Sequence, residues 1–210
     1  MSNYGPTLVT ECYEHLAKRG VSLASNQIAY SLIGRHNGAQ QTLDTCNELG
    51  VKVLAYYPFA MGLLTGKYTS MSPDLAVEDA LTNSLSSSRR SLFERKDLER
   101  YANGDGKHIP SGGVAPLLRT MEKIAEDRGK TVAQVALNYI ICKGAVPIPG
   151  ARTAAQYEDN MGALNWRLTE EQVAMMETEA DNLGFSFDGA GFKRSNAKFV
   201  GYGMEKWSLT

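Results

Sequence analysis

The sequence predicts an α/β protein built on parallel strands, and two observations carry that expectation. One pattern recurs three times: a helical stretch, a glycine, then a short apolar run that ends in polar residues. It reads CYEHLAKRG-VSLASNQ, TCNELG-VKVLAYYP and YIICKG-AVPIPGAR. Gly20, Gly50 and Gly144 each stand where a helix C-terminus takes a left-handed residue. The second observation is that VKVLAY is almost continuously apolar instead of alternating. Strands that read this way are covered, and parallel strands need crossover helices to connect them.

Each element then follows in order. After MSNYG, the helix ending at Gly20 leads into the strand VSLASNQ, and the helix ending at Gly50 leads into VKVLAY. Gly20 and Gly50 are 30 residues apart, the length of one helix-strand unit, whereas Gly144 comes much later. The difference is an insertion over about residues 62–113, which holds NSLSSSRRS, FERKDLERY and NGDGKHIPSGG. It leaves from the C-terminal end of VKVLAY, where parallel α/β folds place their ligands, so it reads as a binding loop, against the alternative of a merely flexible one. PLLRTMEKIAEDRG and TVAQVALNYIICKG are two successive amphipathic helices. Thr131 with Gln134, Thr153 with Gln156, and Thr169 with Gln172 have capping-box spacing and mark three helix starts. One domain is expected over residues 1–183, and the tail 184–210, rich in glycine and aromatics, reads as an irregular C-terminal extension.

Composition narrows the function classes. The chain has 210 residues, 43% hydrophobic and 21% charged, enough to bury a core. A formal net charge of −1 gives no electrostatic reason to expect nucleic acid or an anionic membrane as partner. No run approaches the roughly 18 apolar residues of a membrane span, and MSNYGPT lacks the order of a secretory signal. The chain is thus expected to be soluble, in a reducing compartment that is either cytoplasm or an organelle interior. Cys12, Cys46 and Cys142 are odd in number and in no C-x-x-C spacing, so they read as reduced packing residues with no disulfide framework or metal site.

Three constellations at strand ends bear on chemistry. In AVPIPGARTAAQYEDNMGAL a strand turns at Gly150 into a helix starting near Thr153, and Arg152 adds a positive charge beside unpaired backbone N–H groups. That suits a phosphate, and it equally suits an ordinary capped helix with a surface arginine. In AYYPFAMGLLTGKY, Tyr56 and Tyr57 offer ring faces to a planar ligand and Lys67 a charge to phosphate, unless the rings pack and the lysine is solvated. Asn26 and Gln27 are two amides that suit a carboxamide. All three lie at ends of strands of one parallel sheet, and so are expected to face one crevice.

SNYG, SNQIAYSL, AYYPFAMGLLTGKY and IPGARTAAQYEDNMGAL, in this order, resemble the C-terminal half of an aldo-keto reductase over roughly residues 2–183. The resemblance implies a partial (β/α)8 barrel, its C-terminal half, with parallel strands, outer helices and the site at the strand C-termini. It implies NADP(H) as cofactor and a small-molecule carbonyl, aldehyde or ketone, as substrate of the full-length protein. Ser2, Asn3 and Gln27 would hold the nicotinamide carboxamide, and Tyr56 would stack on the ring. The backbone of Tyr57, Pro58, Phe59, Ala60 and Gly62, with Lys67, would line the pyrophosphate. Gly150, Arg152 and Gln156 would surround the 2′-phosphate, and Asp159 and Asn160 would contact adenine. The family often has serine or threonine where Tyr57 stands and glutamate where Asp159 stands. Arg89 or Arg90 would also reach the cofactor if their register matched.

The same resemblance implies that the family's catalytic Asp, Tyr, Lys and His belong to the N-terminal half of the barrel. The family reads G-V-S-N-Y where this chain reads Met1-Ser2-Asn3-Tyr4, so the chain is expected to start at a strand tip, with about three full strands and no catalytic residue of its own. His15, His36 and His108 are read as helix or loop residues, not proton donors. Such a half-barrel exposes sheet edges, and a protein partner that completes it is expected. Three classes follow: a truncated reductase active only at full length, a non-catalytic structural or NADPH-sensing subunit of a larger assembly, and a free NADPH-binding protein.

Overall fold

The computed structural model describes residues 1–36, 38–66, 113–187 and 192–194. In chain order they form α1 (Pro6–Ala17), β1 (Ser25–Ala29), α2 (Ala39–Glu48), β2 (Lys52–Tyr56), a 3-10 segment (Ala60–Thr65), α3 (Ala115–Arg128), α4 (Val132–Cys142), β3 (Val146–Pro147), α5 (Ala154–Met161), α6 (Glu170–Asp181), β4 (Phe185–Phe187) and β5 (Phe192–Arg194). The α/β expectation holds. The three strands that follow glycine-closed helices form one parallel sheet in the order β1-β2-β3. Gly20, Gly50 and Gly144 have φ of 69°, 71° and 88°, the left-handed conformation that ends a helix and turns the chain back to the sheet.

Strand pairing is set by pleat and register. Gln27 lies opposite Leu54, and Ala29 opposite Tyr56, so these four share one face. Asn26, Ile28, Val53 and Ala55 fall on the other face and are buried under the helices. β3 is only two residues long because Pro147 has no N–H to extend the ladder, although Ile148 N still donates to Ala55 O at 2.8 Å. On the far edge, Ser2 bridges to Gln27 in parallel, with Asn3 N donating to Gln27 O at 2.7 Å and Gln27 N to Met1 O at 3.0 Å. The N-terminal residues are thereby fixed at the sheet end.

The apolar core runs from the sheet into α3, α4 and α6, where Leu117, Met121, Val135, Ile140 and Met176 are fully excluded from solvent. Phe185 of β4 closes it. Of the three expected caps, Thr131/Gln134 and Thr169/Gln172 are complete capping boxes. Thr153 accepts from Gln156 N, but the Gln156 carbonyl turns to Arg152 N at 2.7 Å instead of closing the box. The tail also departs from expectation, since Phe185–Phe187 pairs antiparallel with Phe192–Arg194. Two three-residue strands are too short to leave a period in the sequence.

A polar cluster ties α6 to the turn after β1. The Arg35 guanidinium, only 7% exposed, donates to Leu32 O, to Glu177 O and to the Asp181 carboxylate. Glu177 also accepts from Tyr139 at 2.7 Å and Lys143 at 3.2 Å. Burial alone would raise the Glu177 carboxyl, yet these hydrogen bonds and the charges of Lys143 and Arg35 hold it below the usual carboxylate range. Burial and the charge of Arg35 push the His36 imidazole down, against the pull of Asp181 and Glu177. Burial drives the Tyr30 and Tyr139 hydroxyls up, so both stay protonated. Cys12 and Cys142 are half-buried and Cys46 is buried.

Candidate functional site

Three of the expected residues meet at the C-terminal end of the sheet. Tyr56, the last residue of β2, donates its hydroxyl to Asn3 Oδ1 at 2.8 Å. Asn3 has φ 62°, a left-handed conformation that asparagine tolerates, and its backbone is bonded to Gln27. Ser2 Oγ donates to Gln27 O at 3.3 Å. Tyr56 and Gln27 lie on one sheet face, so their side chains and the Asn3 amide converge there. Asn26 corrects the expectation that both amides face the crevice. The two-residue period of β1 turns it to the helix side, fully buried, where Nδ2 donates to Tyr4 O at 2.9 Å.

The chain after Tyr56 is unusual in its backbone. Tyr57, Ala60, Met61 and Gly62 have φ of 55°, 47°, 61° and 98°. Three are not glycine, and each such residue costs on the order of 1 kcal/mol. Burial of Ala60, Leu63 and Leu64, and hydrogen bonds from Ala60 N to Tyr57 O and from Gly62 N to Phe59 O, hold the turn. Phe59 at φ −98° followed by Ala60 in the left-handed region has the conformation of an anion-binding nest, but Ala60 N and Gly62 N donate to carbonyls inside the turn. Pro58 is buried, and Tyr57, Phe59 and Gly62 are half-buried around this turn. Lys67, Arg89, Arg90 and His108 lie outside the described residues.

The β3-to-α5 turn is exposed from Gly150 onward. Gly150, Arg152 and Gln156 are open to solvent, and a Cβ placed on Gly150 would meet nothing within 4 Å. Asp159 also serves the packing of the helices. Its Oδ1 accepts from Thr131 Oγ1 at 3.1 Å and Gln134 Nε2 at 2.9 Å, latching α5 to the start of α4. Asn160 beside it is half-buried.

Two groups escaped the sequence reading. Asn138 is fully buried, with Nδ2 donating to Ala163 O and Trp166 O and Oδ1 accepting from Leu168 N. Its signal was visible as a lone amide inside the apolar run of α4. The Arg35 cluster lines a cleft of about 490 Å3 with His36, Gln40, Asp44, Lys143, Glu177 and Asp181. That cleft shares no residue with the strand-end site, and its cations already pair with its carboxylates. No group of three or more metal-ligating side chains occurs among the described residues. No helix among them is long and apolar enough to cross a membrane.

Residues 1–180 match the model of the aldo/keto reductase family. The chain is 37% identical over 180 residues to the chloroplastic pyridoxal reductase of Arabidopsis thaliana, covering 86% of this chain and 42% of that protein. It is 30% identical over 180 residues to an L-glyceraldehyde 3-phosphate reductase of Escherichia coli O157:H7, covering 84% of this chain and 47% of the relative. The chain therefore spans less than half the length of either. Among solved structures, an aldo-keto reductase of Bombyx mori in complex with NADP superimposes with a TM-score of 0.52 at 21% identity, over 85% of this chain and 43% of the other. An aldose reductase of Schistosoma japonicum gives 0.54 at 18% identity, over 98% and 44%. These superpositions speak to the α/β fold, and the family model together with the similar reductases gives the conclusion that this chain belongs to the aldo/keto reductase family.

Proposed function

We propose that these residues hold NADP(H) for a carbonyl oxidoreductase and form the C-terminal half of its (β/α)8 barrel. The observation that carries this is the convergence of Asn3, Gln27 and Tyr56 at one sheet end, hydrogen-bonded together and followed at once by the left-handed turn 57–62. In this reading NADPH supplies hydride, and the chain's own residues bind and orient it. Ser2, Asn3 and Gln27 present polar groups for the carboxamide, Tyr56 a ring face for the nicotinamide, and the backbone of Tyr57 to Gly62, with the charge of Lys67, lines the pyrophosphate, Pro58 having no N–H and Ala60 N and Gly62 N donating within the turn. Gly150, Arg152 and Gln156 suit the 2′-phosphate. Gly150 has neither a steric nor a conformational need to be glycine within the protein, which supports close approach of a ligand there. Asp159 and Asn160 lie on α5 for the adenine, with one Asp159 oxygen already engaged.

The reactions named for the relatives, of pyridoxal and of L-glyceraldehyde 3-phosphate, point to a small aldehyde as substrate. We infer that the acid-base set lies outside these 210 residues and that this chain alone does not turn over. The fold supports a completing partner. Val146 and Ile148 at the β3 edge are 45% and 42% exposed, and Tyr157 and Met161, four residues apart on α5, are 58% and 45% exposed. The same exposed apolar residues support the second reading, a non-catalytic subunit that senses NADPH within an assembly. Domain limits of 1–183 for the reductase unit and 184–210 for the extension belong to the same proposal.

The test is titration of the purified chain with NADPH, followed by NADPH oxidation with pyridoxal and glyceraldehyde 3-phosphate. Binding without turnover is expected. Turnover abolished by Tyr56→Phe would overturn the inference that the catalytic set lies elsewhere, and absence of binding would overturn the cofactor site.

A further inference from the structure

We propose that the Tyr57 side chain is a positioning residue: it braces the Tyr56 ring edge-on and so fixes the surface on which a nicotinamide lies. This rests on the NADP(H) reading above and gives the Tyr57 ring a role that its backbone does not have. Adjacent residues of a strand point to opposite faces, so two consecutive tyrosines do not ordinarily touch. Here the left-handed φ of 55° at Tyr57, immediately after β2, breaks that alternation. The two ring centroids come to 5.3 Å with the planes at 61°, an edge-to-face contact.

The contacts of Tyr56 include its hydroxyl on Asn3 Oδ1 at 2.8 Å and its ring against Tyr57. Both residues are half-buried, so contacts to the ring bear on which rotamer Tyr56 keeps. A bulky residue at positive φ is unfavourable in itself, and a serine there would leave the neighbouring ring unbraced. The interaction needs the ring of Tyr57 and not its hydroxyl.

The experiment compares wild type with Tyr57→Phe, Tyr57→Leu and Tyr57→Met, each titrated with NADPH and with adenosine 2′,5′-bisphosphate, which lacks the nicotinamide end. The expected result is that Tyr57→Phe binds both within about twofold of wild type. Tyr57→Leu and Tyr57→Met lose about three- to tenfold for NADPH, the range an edge-to-face pair supplies, and keep the bisphosphate affinity. The retained bisphosphate binding also reports that the variants are folded. Equal loss for both probes would assign Tyr57 a general structural role and overturn the brace, as would a Leu variant that binds NADPH like wild type or a Phe variant as weak as Leu. Wild-type protein that binds neither probe would overturn the cofactor reading itself, and the brace with it.

Discussion

Replacing Asn138 by leucine, which has a similar branched shape and a larger volume, should destabilise the chain markedly. The amide satisfies three backbone groups of the connector after α5: Ala163 O and Trp166 O at 2.9 Å, and Leu168 N at 3.0 Å. It also accepts from Cys142 Sγ at 3.3 Å, so all its hydrogen-bonding capacity is used. Two carbonyls on one side and an N–H on the other leave only one way round for the amide. Leucine leaves the three backbone groups unpaired, at about 1–3 kcal/mol each. Burial of its apolar surface offsets about 2 kcal/mol of that. The net cost is about 1–7 kcal/mol, a large part of the total for an ordinary domain. Urea unfolding is the assay, with a lower midpoint at unchanged slope expected. Asn138→Asp should be worse at pH 7, because it removes both donors and puts a charge in a site with no solvent contact. It should recover in part in acid, where a protonated carboxyl donates to one carbonyl. A leucine variant within about 0.5 kcal/mol of wild type, or an aspartate tolerated at pH 7, would refute the reasoning, since mutational hydrogen-bond values rarely fall so low for three groups at once.

Other outcomes follow from the same contacts. Gly162→Ala places a Cβ 2.2 Å from Gln134 Nε2, so Gln134 must leave Asp159, and about 1–2 kcal/mol of stability should go with the latch and the capping box, measured by the same unfolding curve. Tyr56→Phe removes the hydroxyl that orients Asn3 and should weaken NADPH about three- to tenfold by fluorescence titration, with the unfolding midpoint almost unmoved because both residues are partly solvated. The pH dependence has two windows. The folded-state values of His36 and Glu177 are both depressed, so each contributes stability that is present above its unfolded value and lost as pH falls through the folded one. Stability should therefore fall below about pH 6.5 for His36 and again below about pH 4.3 for Glu177. His36→Gln should flatten the first fall and Glu177→Gln the second, and an unchanged pH profile would contradict the assignment.

Much of this was legible in the sequence because it rests on local physics. Gly20, Gly50 and Gly144 follow helices in the left-handed conformation that turns the chain toward a strand, and two of the three Thr/Gln pairs close as capping boxes. The third pair, Thr153 and Gln156, does not, because Arg152 N competes for the glutamine carbonyl and spacing cannot reveal that competition. The strand ends put Gln27 and Tyr56 toward one crevice, and the register sets them on one sheet face, but Asn26 required the register and pleat, a shift of one residue, to be sent to the helix side. Arg35 with Asp181, and Asn138 with Leu168, join residues 146 and 30 positions apart, and no local pattern signals contacts of that length. The tail hairpin was missed for the opposite reason, its strands being too short to show a period.

The central claim, that this chain carries a site for NADP(H), is tested most directly by calorimetric titration of the purified 210-residue protein with NADPH and, in parallel, with NADH. Tighter binding of NADPH, by about tenfold or more from the 2′-phosphate against Arg152, is the expected result. Heat of binding for neither nucleotide would contradict the account.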